Sequence, residues 1–413
     1  MHPLLVRLVA QNLRSIFQES RHADKVIEQA LRSNPKAGSR DRAFIAETTY
    51  EVVRYYRLYG EILGKAPDTD LDFWQIIGVH LAFKNAELPD WQEFKILNSR
   101  EFASKIKNWQ RSYNSAEATP DSEKIPRSIR ESIPDWLDEL GQTELLGHWD
   151  ETLHWLNRPA QVVLRTNRLK TDPAELQRAL LAENVDTQNI LNSDALALAV
   201  RKNVFQTAAF RKGWFEMQDY SSQLVAPMLA PQPGMRVVDA CAGGGGKTLH
   251  LAALMQNRGS LIALDTQAWK LEALRARARR AGATNIETRP IESRKTIKRL
   301  YNSADRLLLD VPCSGLGILR RNPDAKWKLL PEQIEKLRAT QQDILQNYSG
   351  ITKPGGRMVY ATCSILPSEN QQQVGAFLAS EAGKSFNLLE ERQVLPQDEG
   401  FDGFYMALLE RQK

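Results

Sequence analysis

The chain has 413 residues, 42% of them apolar and 25% charged, with a formal charge of +5. That is the make-up of an ordinary globular protein, long enough for two or three separate cores. It excludes a membrane span, since no apolar run approaches the roughly 18 residues one needs, and a disulfide framework or zinc pattern, since the cysteines are only Cys241, Cys313 and Cys363.

The opening "MHPLLVRLVAQNLRSIF" reads as an amphipathic helix with charges inside it and lacks a secretory core and cleavage site. A protein of the cytoplasm, off the membrane, acting as a monomer and holding no metal, is expected. Residues 1–125 are expected to be helical throughout. In "RDRAFIAETTYEVVRYYRLYGEIL" the positions Ile45, Thr49, Val52, Tyr56, Tyr59 and Leu63 recur every three or four residues, one face of one helix. The segments "DKVIEQALRS" and "DLDFWQIIGVHLAF" share that period. The polar, proline-punctuated "NSAEATPDSEKIPRSIRESIP" reads as a linker.

Residues 126–224 are expected to hold linker helices and a small α/β module. "AQVVLRTN" reads as a strand, and "TDPAELQRALLAENV" as a helix with Asp172 as cap, Pro173 in first position and Glu175 completing a capping box. "LALAV" follows as a second strand. From 225 to 413 the apolar runs "MRVVDA", "SLIALD", "DRLLLD" and "GRMVYATC" alternate with helical stretches. That alternation predicts a doubly wound parallel α/β sheet, whose ligands bind beyond the carboxyl ends of the strands. Those ends read Asp239-Ala240-Cys241, Asp265, Asp310-Val311-Pro312-Cys313 and Thr362-Cys363, so thiols and acids converge on one edge.

The loop "DACAGGGGKT" is not a nucleotide-hydrolysing P-loop, because Cys241 stands where the first glycine is required. It still follows a strand and opens a helix, so its bare backbone can approach a ligand. Asp265, 19 residues after Gly246, can hold ribose hydroxyls. An adenosine-containing cofactor fits, a dinucleotide included. Cys313 or Cys363 would act as nucleophile only as thiolate, which calls for cations such as Lys247, Arg320 or Lys326 nearby. Residues 1–150 carry 20 basic against 23 acidic side chains and the rest 35 against 27. The excess, with clusters at 294–299 and 320–328, suits either solvated surface or a polyanionic partner.

The segments "DACAGGGGK", "LLLDVPCSGLGILRRNPDAKW" and "GGRMVYATCSILPSEN" resemble the successive motifs of the RsmB/Nop/Sun family of RNA cytosine-5 methyltransferases. The likeness continues through "LRTNRLKTD", "GWFEMQDYSSQLVAPML" and "DGFYMALL", and "DRAFIAETTYEVVRYYR" is similar to the NusB-like helical domain of the ribosomal-RNA branch. The resemblance implies a class I, Rossmann-like catalytic domain that uses S-adenosyl-L-methionine and acts on RNA, ribosomal by virtue of the helical domain, with tRNA as the alternative. It implies Cys363 as nucleophile, Cys313 in product release and Asp310 against the cytosine ring. Cofactor contacts fall on Cys241, Ala242, Gly243, Gly244, Gly245, Gly246, Lys247, Asp265 and Asp310. RNA contacts fall on Arg165, Asn167, Arg320 and Lys326, with Trp327 as stacking platform or core anchor.

Two positions depart from the family pattern. Gly244 replaces a proline, which implies a less preorganised loop, and Ile291 stands where an acid is usual, with Glu292 beside it as substitute. Two other readings remain: a non-catalytic RNA-binding factor, which has no use for Cys313 and Cys363, and a dinucleotide oxidoreductase, which leaves both unexplained.

Overall fold

The structure is a computed structural model that describes residues 1–114 and 125–413. Its contacts gather into two compact units, residues 1–157 with 319–329, and residues 158–318 with 330–413. Residues 115–124 of the expected linker lie outside the described residues.

In the first unit the helices Pro3–Phe17, Ala23–Ser33, Ser39–Arg54, Tyr56–Leu63 and Asp70–Phe83 bury a common core that includes Val9, Leu13, Val52, Tyr59 and Ile76. The helix at 70–83 starts on a capping box, in which Thr69 Oγ1 accepts from Asp72 N and the Asp72 carboxylate from Thr69 N. The single helix expected from the spacing of Ile45 to Leu63 is two, broken at Tyr55. The broken ends are satisfied from outside. Ser132 Oγ accepts from Arg57 N at 2.9 Å, while Lys326 Nζ and Trp327 Nε1 donate to the Arg54 and Val53 carbonyls at 2.8 and 2.7 Å. Residues 126–157 also belong here, not with the α/β module: Arg57 pairs with Asp135 at 2.7 Å, and Asn157 accepts from Lys326 Nζ at 3.4 Å. The expected boundary at 125 followed the prolines, whereas the contacts change at 157.

The second unit holds two sheets. The smaller is built from β1 (Val163–Thr166), β2 (Thr187–Asn189), β3 (Ala195–Leu198) and β4 (Phe215–Met217), all antiparallel, in the order β2-β3-β1-β4. The helix Pro173–Ala182 between β1 and β2 begins as expected, with Asp172 Oδ1 accepting from Glu175 N at 2.8 Å. The Glu175 carboxylate, however, accepts from the Thr171 hydroxyl, so the box closes on Thr171.

The larger sheet comprises β5 (Arg236–Asp239), β6 (Ser260–Asp265), β7 (Ile286–Pro290), β8 (Ala304–Asp310), β9 (Thr352–Thr362), β10 (Phe386–Val394) and β11 (Phe404–Arg411), in the order β10-β11-β9-β8-β5-β6-β7. Strands β5 to β9 are parallel, and β11 runs antiparallel to both its neighbours, β9 and β10. The central strands are buried on both faces, as a doubly wound sheet requires. Strand order reverses at β5, which lies between β6 and β8, so the crevice for a ligand opens beyond the ends of β5 and β8.

Candidate active site

The glycine loop leaves β5 and opens the helix Gly246–Leu254. Gly243 and Gly245 have φ of +53° and +86°, and a Cβ on Gly245 would lie 2.1 Å from Leu274 Cδ1. Only glycine can make this turn against that helix. A Cβ on Gly243 or Gly246 would meet nothing within 4 Å, so the loop presents bare backbone to open space. Across it, the Asp265 carboxylate accepts from Gly243 N at 3.0 Å and Gln267 N at 2.8 Å. Backbone amides, room and an acid at the neighbouring strand end fit an adenosine-bearing cofactor.

The loop is braced from behind. Arg277 Nη1 donates to Gly244 O at 2.5 Å, and Arg165 Nη1 to Gly246 O at 2.6 Å. The looseness expected from Gly244 in place of proline is therefore opposed by Arg277, itself held on Glu216 at 2.9 Å. Ala242 is buried, burial pushes the Cys241 thiol well above the usual range, and Cys241 and Ile291, both partly buried, pack against the core of the sheet. Ile291 N donates to Asp265 O at 2.9 Å, whereas Glu292 is exposed and lines a small cavity that shares no residue with the glycine loop.

Beyond β8 and β9 the two cysteines meet, with Cys313 Sγ 3.4 Å from Cys363 Sγ. At the end of β8, Lys247 Nζ lies 2.7 Å from Asp310 Oδ2 and 4.8 Å from the centroid of the Phe404 ring. The loop after Cys313 is drawn close by glycines. Gly317 N donates to Cys363 O at 3.0 Å and Gly403 N to Gly317 O at 2.8 Å, where a Cβ on Gly317 would lie 2.2 Å from Gly403 O. Hydrogen bonding to Cys363, followed by burial, pushes the Cys313 thiol well above the usual range.

The four residues expected on RNA are elsewhere. Arg165 and Asn167 are 2% and 5% exposed; Arg165 bonds the Gly246 carbonyl and the Gln218 side chain, and Asn167 Nδ2 donates to Gly213 O and Ala281 O, each at 2.7 Å. Both stitch the small sheet to the larger one. Arg320 and Lys326, 6% and 1% exposed, are buried in the helical unit, where Arg320 O accepts from Arg54 Nη2 and Lys326 caps the broken helix. As placed, none of the four presents a face to RNA.

Sequence reasoning missed Glu369, which joins the two cysteine loops through Ser314 and Ser364. A signal was present, since both thiols are followed by serine, in "PCSG" and "TCSI", and an acid stands six residues past Cys363 in an otherwise uncharged stretch. It missed Arg277 as well, which periodicity alone assigns to a solvated helix face.

The sequence profile described as 16S rRNA methyltransferase RsmB/F matches residues 226–410. A probable ribosomal RNA small subunit methyltransferase B from Synechocystis sp. is 32% identical over 435 aligned positions, covering 97% of each chain. The crystal structure of PH0851 superposes with a TM-score of 0.82 at 24% identity, covering 100% of this chain and 99% of that one. NSun6 from Pyrococcus horikoshii with SFG gives a TM-score of 0.62 at 19% identity, covering 68% of this chain and 98% of that one. The two structural likenesses are of fold, while the length-wide identity to the Synechocystis protein is one of family: the chain belongs to the RsmB/F family of rRNA methyltransferases.

Proposed function

We propose that this chain methylates carbon 5 of a cytosine in 16S ribosomal RNA, with S-adenosyl-L-methionine as donor and Cys363 as nucleophile. The observation that carries the reading is the pair of sulfurs 3.4 Å apart at the carboxyl edge of the sheet, the edge that also carries the Lys247–Asp310 ion pair. The backbone of Gly243 to Gly246 and the Asp265 carboxylate would hold the cofactor, which when bound supplies a methyl group on a sulfonium.

The rest falls to this chain's own residues. Carbon 5 of cytosine is a poor nucleophile until a thiolate adds to carbon 6 and turns the ring into an enamine. Cys363 makes that addition, with Cys313 as hydrogen-bond donor at its sulfur. Asp310, oriented by Lys247, faces the ring and accepts from its exocyclic amine, which holds the base in place while the thiolate adds. Once carbon 5 carries its new methyl group, water takes the proton there while the electron pair of the bond from carbon 6 returns to Cys363, which restores the aromatic base and frees the thiolate. Cys313, a short reach away, assists that release.

For the RNA itself, the reading assigns a surface other than the one the sequence suggested. The segment 199–213 carries Arg201, Lys202, Arg211 and Lys212 and no acid. It adjoins the arginine-rich helix Ala268–Ala281, since the Arg280 guanidinium lies 4.0 Å from the Phe210 ring centroid and Lys170 Nζ donates to both Lys212 O and Arg280 O. Arg211, Lys212, Arg275 and Arg279 are exposed, and Lys212 lies over the Trp214 ring at 5.1 Å. Cations interleaved with aromatic rings suit a single strand.

The test is product analysis. Small ribosomal subunit RNA from cells lacking the protein, incubated with the enzyme and methyl-labelled cofactor, should yield labelled 5-methylcytidine on digestion. Label in another nucleoside, or in tRNA alone, overturns the reading.

A further inference from the structure

Glu369 has no place in the chemistry above, yet it is fully buried and draws four hydrogen bonds. Its Oε1 accepts from Ser314 N at 2.8 Å and Gln341 Nε2 at 3.0 Å, and its Oε2 accepts from the hydroxyls of Ser314 and Ser364, each at 2.5 Å. All four donors are neutral groups. A carboxylate is taken out of water at a large penalty, and a buried site asked only to fill space is better served by an apolar side chain. This one does what an apolar side chain cannot: it accepts at once from two separate loops.

The two loops are those that carry the sulfurs. Ser314 follows Cys313 and Ser364 follows Cys363, and their hydroxyls lie 3.2 Å apart over the carboxylate. Gln341 extends the hold to the residue before Cys313, since its Nε2 also donates to Pro312 O at 3.0 Å. The carboxylate is itself anchored, because Tyr360 donates to the Glu369 carbonyl at 2.6 Å. The neighbouring Asn370 accepts from Thr362 Oγ1 at 2.6 Å and donates to Ser364 O at 3.1 Å. We propose that Glu369 is a positioning residue that sets the separation of the Cys313 and Cys363 sulfurs by tying Ser314 and Ser364 to one carboxylate. Cys363 must meet carbon 6 while Cys313 serves the same ring, and misplacing a reacting group by about 1 Å can cost about 100-fold in rate. Glutamine in its place has one acceptor oxygen, so it cannot satisfy the backbone amide, the Gln341 amide and both hydroxyls as the carboxylate does.

This inference rests on the roles proposed for the two cysteines, but one arm of its test needs neither RNA nor cofactor. Diamide, a thiol oxidant, takes two hydrogens from a pair of close thiols; an S–S bond forms and diamide is reduced to the hydrazine. Followed by thiol titration and peptide mass, the wild-type chain should close the Cys313–Cys363 bond, and Glu369→Gln should close it at least about 10-fold more slowly. In the methylation assay the same variant should lose about 100-fold in kcat while KM for the cofactor stays within about threefold. The Ser314→Ala/Ser364→Ala double variant, which keeps the carboxylate, should show both effects. Closure at the wild-type rate with kcat within twofold, in either variant, overturns the proposal. Slowed closure in a chain that methylates no cytosine supports the positioning role and fails the functional reading. Wild-type closure in variants of a chain that does methylate cytosine fails the positioning role alone.

Discussion

Asp239 shows what burial does to a single acid in this site. It is 1% exposed, and burial raises its carboxyl to about 7, against the hydrogen bond from Thr248 Oγ1 at 2.7 Å that pulls it down. A carboxyl whose folded value lies above its unfolded value near 4 contributes its full stability below about pH 4 and loses it as pH rises toward 7. Asp239→Asn stays neutral throughout, so its melting temperature should match the wild type near pH 4 and exceed it at pH 8. A gap that is equal at the two pH values would contradict this. At this scale the sequence was legible where chemistry is written in residue type: Cys313, Cys363, Asp310, Lys247 and Asp265 all lie at the expected edge. It misled where burial decides. Arg165, Asn167 and Lys326 look like RNA contacts by type, and the structure uses their donors to cap carbonyls.

Among the elements, the break at Tyr55 is the clearest case of tertiary structure overriding local pattern. The spacing from Ile45 to Leu63 is that of one helix, and Ile45, Thr49, Val52 and Tyr59 are indeed buried. What interrupts it lies far along the chain. The Lys326 side-chain amine and the Trp327 indole donate to the carbonyls at the end of the first helix and so cap it. Trp327→Ala should therefore lower stability by about 3 kcal/mol, read as a fall in melting temperature, with kcat/KM for RNA unchanged well below the transition. A stacking platform would show the reverse, with RNA affinity lost and melting unmoved. The strands β5, β6, β8 and β9 could be read because continuous apolar runs end in chemistry-bearing residues. Strands β10 and β11 were not. In β10, "FNLLEERQV", the interior is mostly exposed and carries no alternation, as befits an edge, and β11 was not set apart as a strand although its apolar run follows the turn residues Asp402-Gly403.

At the scale of the molecule, one chain builds two compact units and enters the helical one twice, since residues 319–329 belong there although they lie between β8 and β9 in sequence. No periodicity or composition marks that excursion; its basic residues read as surface, and only the contacts show Arg320 and Lys326 inside. The surplus of positive charge beyond residue 150 was legible, and the surface proposed for RNA is the exposed face of the segment 199–213 and the helix Ala268–Ala281. An Arg211→Glu/Lys212→Glu/Arg279→Glu triple variant should weaken RNA binding at least about 10-fold and flatten its dependence on salt, while cofactor affinity stays unchanged. An unaltered salt slope would place the RNA elsewhere.

The two-sulfur account is tested most directly by mixing Cys313→Ala with cofactor and substrate RNA and running the products under denaturing conditions. Without Cys313 to assist release, Cys363 should remain bonded to carbon 6, so a protein–RNA band should accumulate and vanish in the Cys313→Ala/Cys363→Ala double variant. A Cys313→Ala enzyme that gives no such band, together with a Cys363→Ala enzyme that still methylates cytosine, would contradict it.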